Sequence, residues 1–162
     1  MAYKIPESVL VVIYTRDLEV LMLKRADMHT WQSVTGSKDF LLEPWLETAK
    51  REVLEETHID VDSPGCKLLD WGLENYYEIY PAYRHRYAPT VSHNLERVFG
   101  LELPRQVPVV LSAREHTQFK WRPYLEAADE VFSPSNAEAI LHLKNFLHDA
   151  RHPRAQAPSK RP

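Results

Sequence analysis

Residues 36–59, GSKDFLLEPWLETAKREVLEETHI, constrain this chain more than any other segment, because they read as a helix whose charges oppose helix formation. Pro44 suits a first turn, and Leu46, Ala49, Lys50 and Val53 recur at the spacing of one helix face, with a stop near Thr57 or His58. On that helix Glu52, Glu55 and Glu56 stand at i, i+3 and i+4, so three carboxylates crowd one face. Each like-charged pair opposes the helix by roughly 0.2–0.5 kcal/mol. A divalent cation reverses the sign, since Mg2+ takes hard oxygen ligands and leaves positions for water and phosphate oxygens. By spacing alone the cluster also reads as a solvated acidic face. Arg51, adjoining Glu52, can hold a carboxylate by a charged hydrogen bond, and Glu43 stands at the helix entrance, which favours the metal reading.

The rest of the chain is mostly sheet. Ser8–Thr15 reads as a buried strand, Glu19–Lys24 alternates Val20, Met22 and Lys24 against Leu21 and Leu23, and Asp17 makes a tight connection between them. Trp31–Thr35 is a short third strand ending at Gly36, where a turn with unusual dihedrals is cheap. Leu68–Trp71, Tyr76–Tyr80, Arg97–Leu103, Val109–Ser112 and Gln118–Arg122 are further strand candidates, punctuated by Pro81, Pro89, Pro104 and Pro108. Ser135 and Glu138 form a capping-box pattern ahead of an amphipathic helix carrying Ile140, Leu143, Phe146 and Leu147. The expected class is α/β, a mixed sheet sandwiched between helices, as a single domain over residues 1–150. Residues 151–162 carry four cations, no acid and three prolines, and are expected to form a disordered basic tail.

Twenty Lys and Arg against 23 Asp and Glu give a net charge of −3, so no global basic surface exists and general nucleic-acid binding is disfavoured. The apolar run Val9–Tyr14 is far short of the roughly 20 residues that span a bilayer, and Lys4, Pro6 and Glu7 interrupt any signal-peptide core. A lone Cys66 has no internal disulfide partner. Together these imply a cytoplasmic protein without a membrane or nucleic-acid partner, and no protein partner is indicated. Without its tail the body is at −7 (−3 less the tail's +4), so a phosphorylated ligand has to be met by local cations or a bound metal.

Glu43, Arg51, Glu52, Val53, Glu55, Glu56 and Ile59 together resemble the Nudix box in register. The chain departs from that pattern twice. Six residues rather than five separate Gly36 from Glu43, and His58 stands where a second Gly is expected. Both changes fall in loops, and His can adopt positive φ after a helix, so it is read here as a helix-terminating surface residue. The resemblance implies a Nudix fold.

The flanks resemble one Nudix subgroup, the bacterial dihydroneopterin triphosphate diphosphatases (dATP pyrophosphohydrolase type). They do so through YKIP at Tyr3–Pro6, LVVIY at Leu10–Tyr14, VLMLKR at Val20–Arg25, WQSVTGS at Trp31–Ser37, YEIYPAYRHRYAP at Tyr77–Pro89 and EHTQFKW at Glu115–Trp121. That resemblance implies Glu52, Glu56 and Glu115 as ligands of Mg2+, with Mn2+ as a substitute, and Arg51 as the group that orients them. It also implies Lys4, Arg25, Thr35, Tyr77, Glu78, Ile79, Tyr80 and Ser135 along the substrate site. The implied reaction is attack of water on a triphosphate with release of pyrophosphate, and Glu55 and Glu115 are both candidates for the base. Tyr77 and Tyr80 can stack a pterin or pack in a strand. Arg84, His85 and Arg86 contact phosphate or form a solvated loop. Trp31, Trp45, Trp71 and Trp121 read as core or boundary anchors, and the histidines show no metal-ligand spacing. The alternative functions are a broad nucleoside triphosphate pyrophosphohydrolase and a nucleotide-sensing module without turnover.

Overall fold

The computed structural model describes residues 2–145. The basic tail, together with Phe146 and Leu147 of the expected C-terminal helix, lies outside the described residues. Among the described residues there are seven strands: β1 (Glu7–Thr15), β2 (Glu19–Arg25), β3 (Trp31–Gln32), β4 (Val34–Ser37), β5 (Lys67–Glu78), β6 (His93–Leu103) and β7 (His116–Pro123). The helices are α1 (Trp45–Thr57), α2 (Tyr124–Glu130) and α3 (Pro134–Leu141), with a 3-10 turn at Pro81–Arg86.

Strand β1 is the spine of the sheet. It pairs in parallel with β6 along its whole length, and on its other edge antiparallel with β4 through residues 8–11 and with β2 at Tyr14. Its successive side chains enter two different cores, as the period of two requires. Val9, Val11 and Ile13 meet Ala49 and Val53 of α1, whereas Leu10, Val12 and Tyr14 meet Ala127 of α2 and Ile140 of α3. The expected mixed sheet between helices is thus the observed architecture, and the unbroken apolar run in β1 follows from burial on both faces. Among the described residues no helix is long and apolar enough to cross a membrane.

Several local expectations need correction. The two candidates Leu68–Trp71 and Tyr76–Tyr80 are one strand, β5, interrupted by an irregularity between Asp70 and Leu73 where Gly72 has φ +72°. The candidate Trp31–Thr35 is split at Ser33, whose N–H donates to Asn136 Oδ1 (2.9 Å) rather than to a strand; Asn136 Nδ2 returns a bond to Ser33 Oγ (3.0 Å). Val109–Ser112 is not a strand. Val109 and Leu111, with Val107, cover the α1-side core, and the N–H of exposed Val110 bonds to Thr57 O. Helix α2, only two turns long, is too short to announce itself in the sequence periodicity. The cap of α3 is Ser133 rather than Ser135: Ser133 Oγ accepts from Asn136 N–H at 3.0 Å, with Pro134 following it. His58 does close α1 in the left-handed conformation, at φ 64°. All four tryptophans pack against the two cores: Trp45 and Trp121 on one, Trp31 and Trp71 on the other.

Candidate active site

The site begins where β4 hands the chain to α1. Arg51, on the second turn of α1, reaches back and binds Glu43 with two nitrogens (2.9 and 3.1 Å) and the Ser37 carbonyl with one (3.1 Å). Its Nη1 donates to Glu52 Oε2 at 2.8 Å. Glu43 is buried and also accepts from Asp39 N–H and Thr48 Oγ1, so the Arg51 guanidinium and these donors hold its carboxyl down at about 2. The arginine therefore ties the loop before the helix to a carboxylate on its face.

Gly36 is placed here by close approach rather than by an unusual dihedral. A Cβ at this position would lie 1.9 Å from the Glu52 carboxyl carbon, and its φ is not positive. The expected turn at Gly36 is instead the strand residue against which Glu52 lies.

Glu52 and Glu56 are buried on the inner face of α1, whereas Glu55 is exposed. Burial pushes both buried carboxyls above the usual carboxylate range, Glu56 well above it because Glu52 adds to the effect. Glu56 Oε1 is buried and has no hydrogen-bond partner among the described residues. Facing it is His116 at the start of β7, with Nε2 at 3.8 Å. Burial, and then Arg25, push this imidazole down to about 4, so it is neutral. Its Nδ1 is likewise buried and unpartnered among the described residues. Ligand atoms of Glu56, Glu115 and His116 lie within 4.8 Å of one another. An orphaned buried carboxylate oxygen, a neutral imidazole and an exposed carboxylate make a donor set that fits a divalent cation, and the group can hold one.

His116 is the residue that sequence spacing missed, since its partners stand some sixty positions away on α1. Its only signal is adjacency to Glu115. At this one position the structure gathers a histidine into a group that could hold a metal ion, which spacing along the sequence does not indicate.

Two connected clefts meet at this point, each of about 600 Å³. The acidic one is lined by Glu52, Glu55, Glu56, Glu115 and His116; the other is lined by aromatic side chains, and all eight residues expected along the substrate site border it. Lys4, Arg25, Thr35 and Arg86 border both. Arg25 is held by Asp27 through two bonds of 2.6 and 2.8 Å, which hold the Asp27 carboxyl down at about 2. Of the Arg84–Arg86 cluster only Arg86 lines the clefts, its guanidinium 5.0 Å from the Tyr83 ring. At the far end Tyr80 meets Phe132 edge-on at 6.1 Å, and Ile79 is buried between exposed Glu78 and Tyr80. Tyr77 OH accepts from Asn94 Nδ2, and burial with Glu96 pushes its hydroxyl up to about 12. Glu96 and Asn94 carry no signal in the sequence, because His93, Arg97 and Glu102 make β6 polar at other positions too.

A helix carrying paired buried carboxylates, clamped by an arginine and laid under a mixed sheet, is the arrangement of the NUDIX domain, whose family model matches residues 4–143; the chain belongs to this family. It is 40% identical over 153 residues to the dihydroneopterin triphosphate diphosphatase of Haemophilus influenzae, covering 93% of each chain. It is 44% identical over 140 residues to the Escherichia coli protein of the same name, covering 85% of this chain and 91% of that one. A solved structure of the E. coli dihydroneopterin triphosphate pyrophosphohydrolase matches with a TM-score of 0.80, at 43% identity, over 88% of this chain and 97% of that one.

Proposed function

We propose that this chain cleaves dihydroneopterin triphosphate to dihydroneopterin monophosphate and pyrophosphate, a step of folate synthesis, using Mg2+ at the acidic end of the cleft. The observation that carries the substrate is the likeness to two proteins named for that activity over 93% and 85% of the chain, well beyond the α1 segment. The joined clefts support it, since one end suits phosphates and the other a flat ring.

Glu52, Glu56 and Glu115, with His116 beside them, would hold the ion, which when bound neutralises phosphate charge and acidifies a water. Arg51 orients Glu52 and does not react. Lys4, Arg25 and Arg86 pair with phosphate oxygens and Thr35 donates its hydroxyl, while Tyr77, Glu78, Ile79, Tyr80 and Ser135 enclose the ring. The proton of the attacking water passes to a carboxylate oxygen of Glu55 or Glu115, both of which border the acidic cleft. The exposed faces of Tyr77 and Tyr80 favour a second reading, a broad nucleoside triphosphate pyrophosphohydrolase, because stacking tolerates many bases.

Steady-state hydrolysis of dihydroneopterin triphosphate beside the common deoxynucleoside triphosphates, with Mg2+ and with chelator, separates the two. A kcat/KM preference for the pterin with pyrophosphate released supports the first. Equal or better nucleotide turnover replaces it with the second.

A further inference from the structure

The ring end of the cleft contains a carboxylate that, among the described residues, forms no ion pair. Glu96, on β6, is 6% exposed and borders the cleft with Tyr77 and Ser135. Its Oε1 accepts from Asn75 Nδ2 and from Ser135 Oγ, each at 3.2 Å; among the described residues nothing donates to Oε2 and no ion pair reaches the group. A carboxylate taken out of water is costly unless donors surround it, and here burial pushes the carboxyl above its usual range. Asn94, two residues earlier on the same face of β6, borders the same cleft, and its buried Oδ1 has no partner among the described residues. Two acceptors, Glu96 Oε2 and Asn94 Oδ1, are thus left over on this wall of the cleft.

We propose that Glu96 reads the ring of the substrate, its Oε2 accepting hydrogen bonds from the aminopyrimidinone edge of the pterin. The proposal rests on dihydroneopterin triphosphate being the substrate. That edge presents an exocyclic amino group beside a ring N–H, two donors side by side, and an ionised carboxylate is acceptor-only. Tyr77 and Tyr80 can stack against any flat heterocycle, so they supply affinity with little discrimination, whereas a buried acceptor rejects a ring that brings no donor.

Glu96→Gln is the informative substitution because Asn75 and Ser135 dictate how the new amide lies. Both donate to the Oε1 position, so the glutamine carbonyl oxygen occupies it and the Nε2 group faces the ring, a donor opposed to donors. The KM for dihydroneopterin triphosphate should rise about tenfold or more, with a much smaller change in kcat. Neopterin, which carries the ring without phosphates, should bind at least about tenfold more weakly in a fluorescence titration. Inhibition by pyrophosphate, which occupies only the phosphate end, should keep its Ki.

Unchanged KM and unchanged neopterin affinity, with pyrophosphate released normally, would overturn the role of Glu96 and leave the substrate reading intact. A rise in KM matched by an equal rise in the pyrophosphate Ki would reduce Glu96 to a support of cleft shape, and would also overturn it. If the unsubstituted protein releases no pyrophosphate from dihydroneopterin triphosphate, the substrate reading fails and this proposal fails with it.

Discussion

Replacing Gly36 by alanine tests the placement of Glu52 without touching a carboxylate. The new Cβ would lie 1.9 Å from the Glu52 carboxyl carbon and 2.2 and 2.3 Å from its oxygens. Carbon atoms in good contact stand roughly 3.5 Å apart, so the carboxyl group must retreat by about 1.6 Å. It cannot do so and keep the 2.8 Å bond from Arg51 Nη1. A misplacement of about 1 Å at a reacting centre can lower the rate roughly 100-fold, which sets the expected loss in kcat/KM. Stability should change far less. A lost charge-assisted bond costs about 1.5–3 kcal/mol, less here because Arg51 is partly exposed, and alanine is favoured over glycine in a strand by roughly 0.5–1 kcal/mol. The net is about 1 kcal/mol, or a fall in Tm of roughly 3 °C. The assay is pyrophosphate release across a Mg2+ series beside a thermal melt, and the half-saturating Mg2+ concentration should rise. If the variant kept its kcat/KM within about threefold and its metal requirement unchanged, the claim that Glu52 acts from above Gly36 would be refuted.

Three other outcomes are expected. Glu56→Gln should abolish Mg2+-dependent turnover and also the stabilisation by Mg2+, which in the unsubstituted protein reaches about 2.7 kcal/mol at 100 times Kd; a melt of each protein with and without Mg2+ checks this. Glu43→Gln should lower stability at neutral pH by about 1–3 kcal/mol. Because the folded carboxyl is held down at about 2 against an ordinary value of 4.5, that contribution is present above about pH 4.5 and lost as pH falls towards 2, so urea-unfolding curves of the two proteins should converge in acid. His58→Gly relieves a left-handed residue and gives up the ring bond to Val110 O, so denaturant unfolding should show a net gain of up to about 1 kcal/mol with turnover unaltered.

What the sequence made legible was what depends on local periodicity. The helix bearing Glu52 and Glu56 is set by spacing within fourteen residues, and β1 by an apolar run that only burial on both faces explains. Long-range placement was less legible. His116 meets Glu56 because β7 pairs with β2 and so starts beside Arg25, a register that nothing within EHTQFKW encodes. Val109 and Leu111 alternate as a strand would, yet they close over the α1-side core without pairing, since alternation reports a buried face and says nothing of a hydrogen-bonded neighbour. SPS offers two candidate caps for α3, and Pro134 at the first helical position selects Ser133, two positions before Ser135.

Charge carries the same lesson to the site itself. A body more acidic than basic required that phosphates be met by local cations or a metal, and the ion pairs show how few cations remain. Arg51 is held by Glu43, Glu52 and Asp39, Arg25 by Asp27, and Lys38 by Glu7. Among the described residues, Lys4, Arg86 and Arg114 border the acidic cleft without an ion pair. Asp27, Asp39, Glu52, Glu55, Glu56 and Glu115 line that cleft against Lys4, Arg25, Lys38, Arg86 and Arg114, so its walls hold no surplus of positive charge for a phosphate. A triphosphate brought there alone would meet carboxylates, in surroundings where burial strengthens the repulsion. A divalent ion would therefore serve binding of the phosphates as much as their cleavage, and the acidic helix face that weakens α1 in isolation is what gives the folded chain an affinity for it.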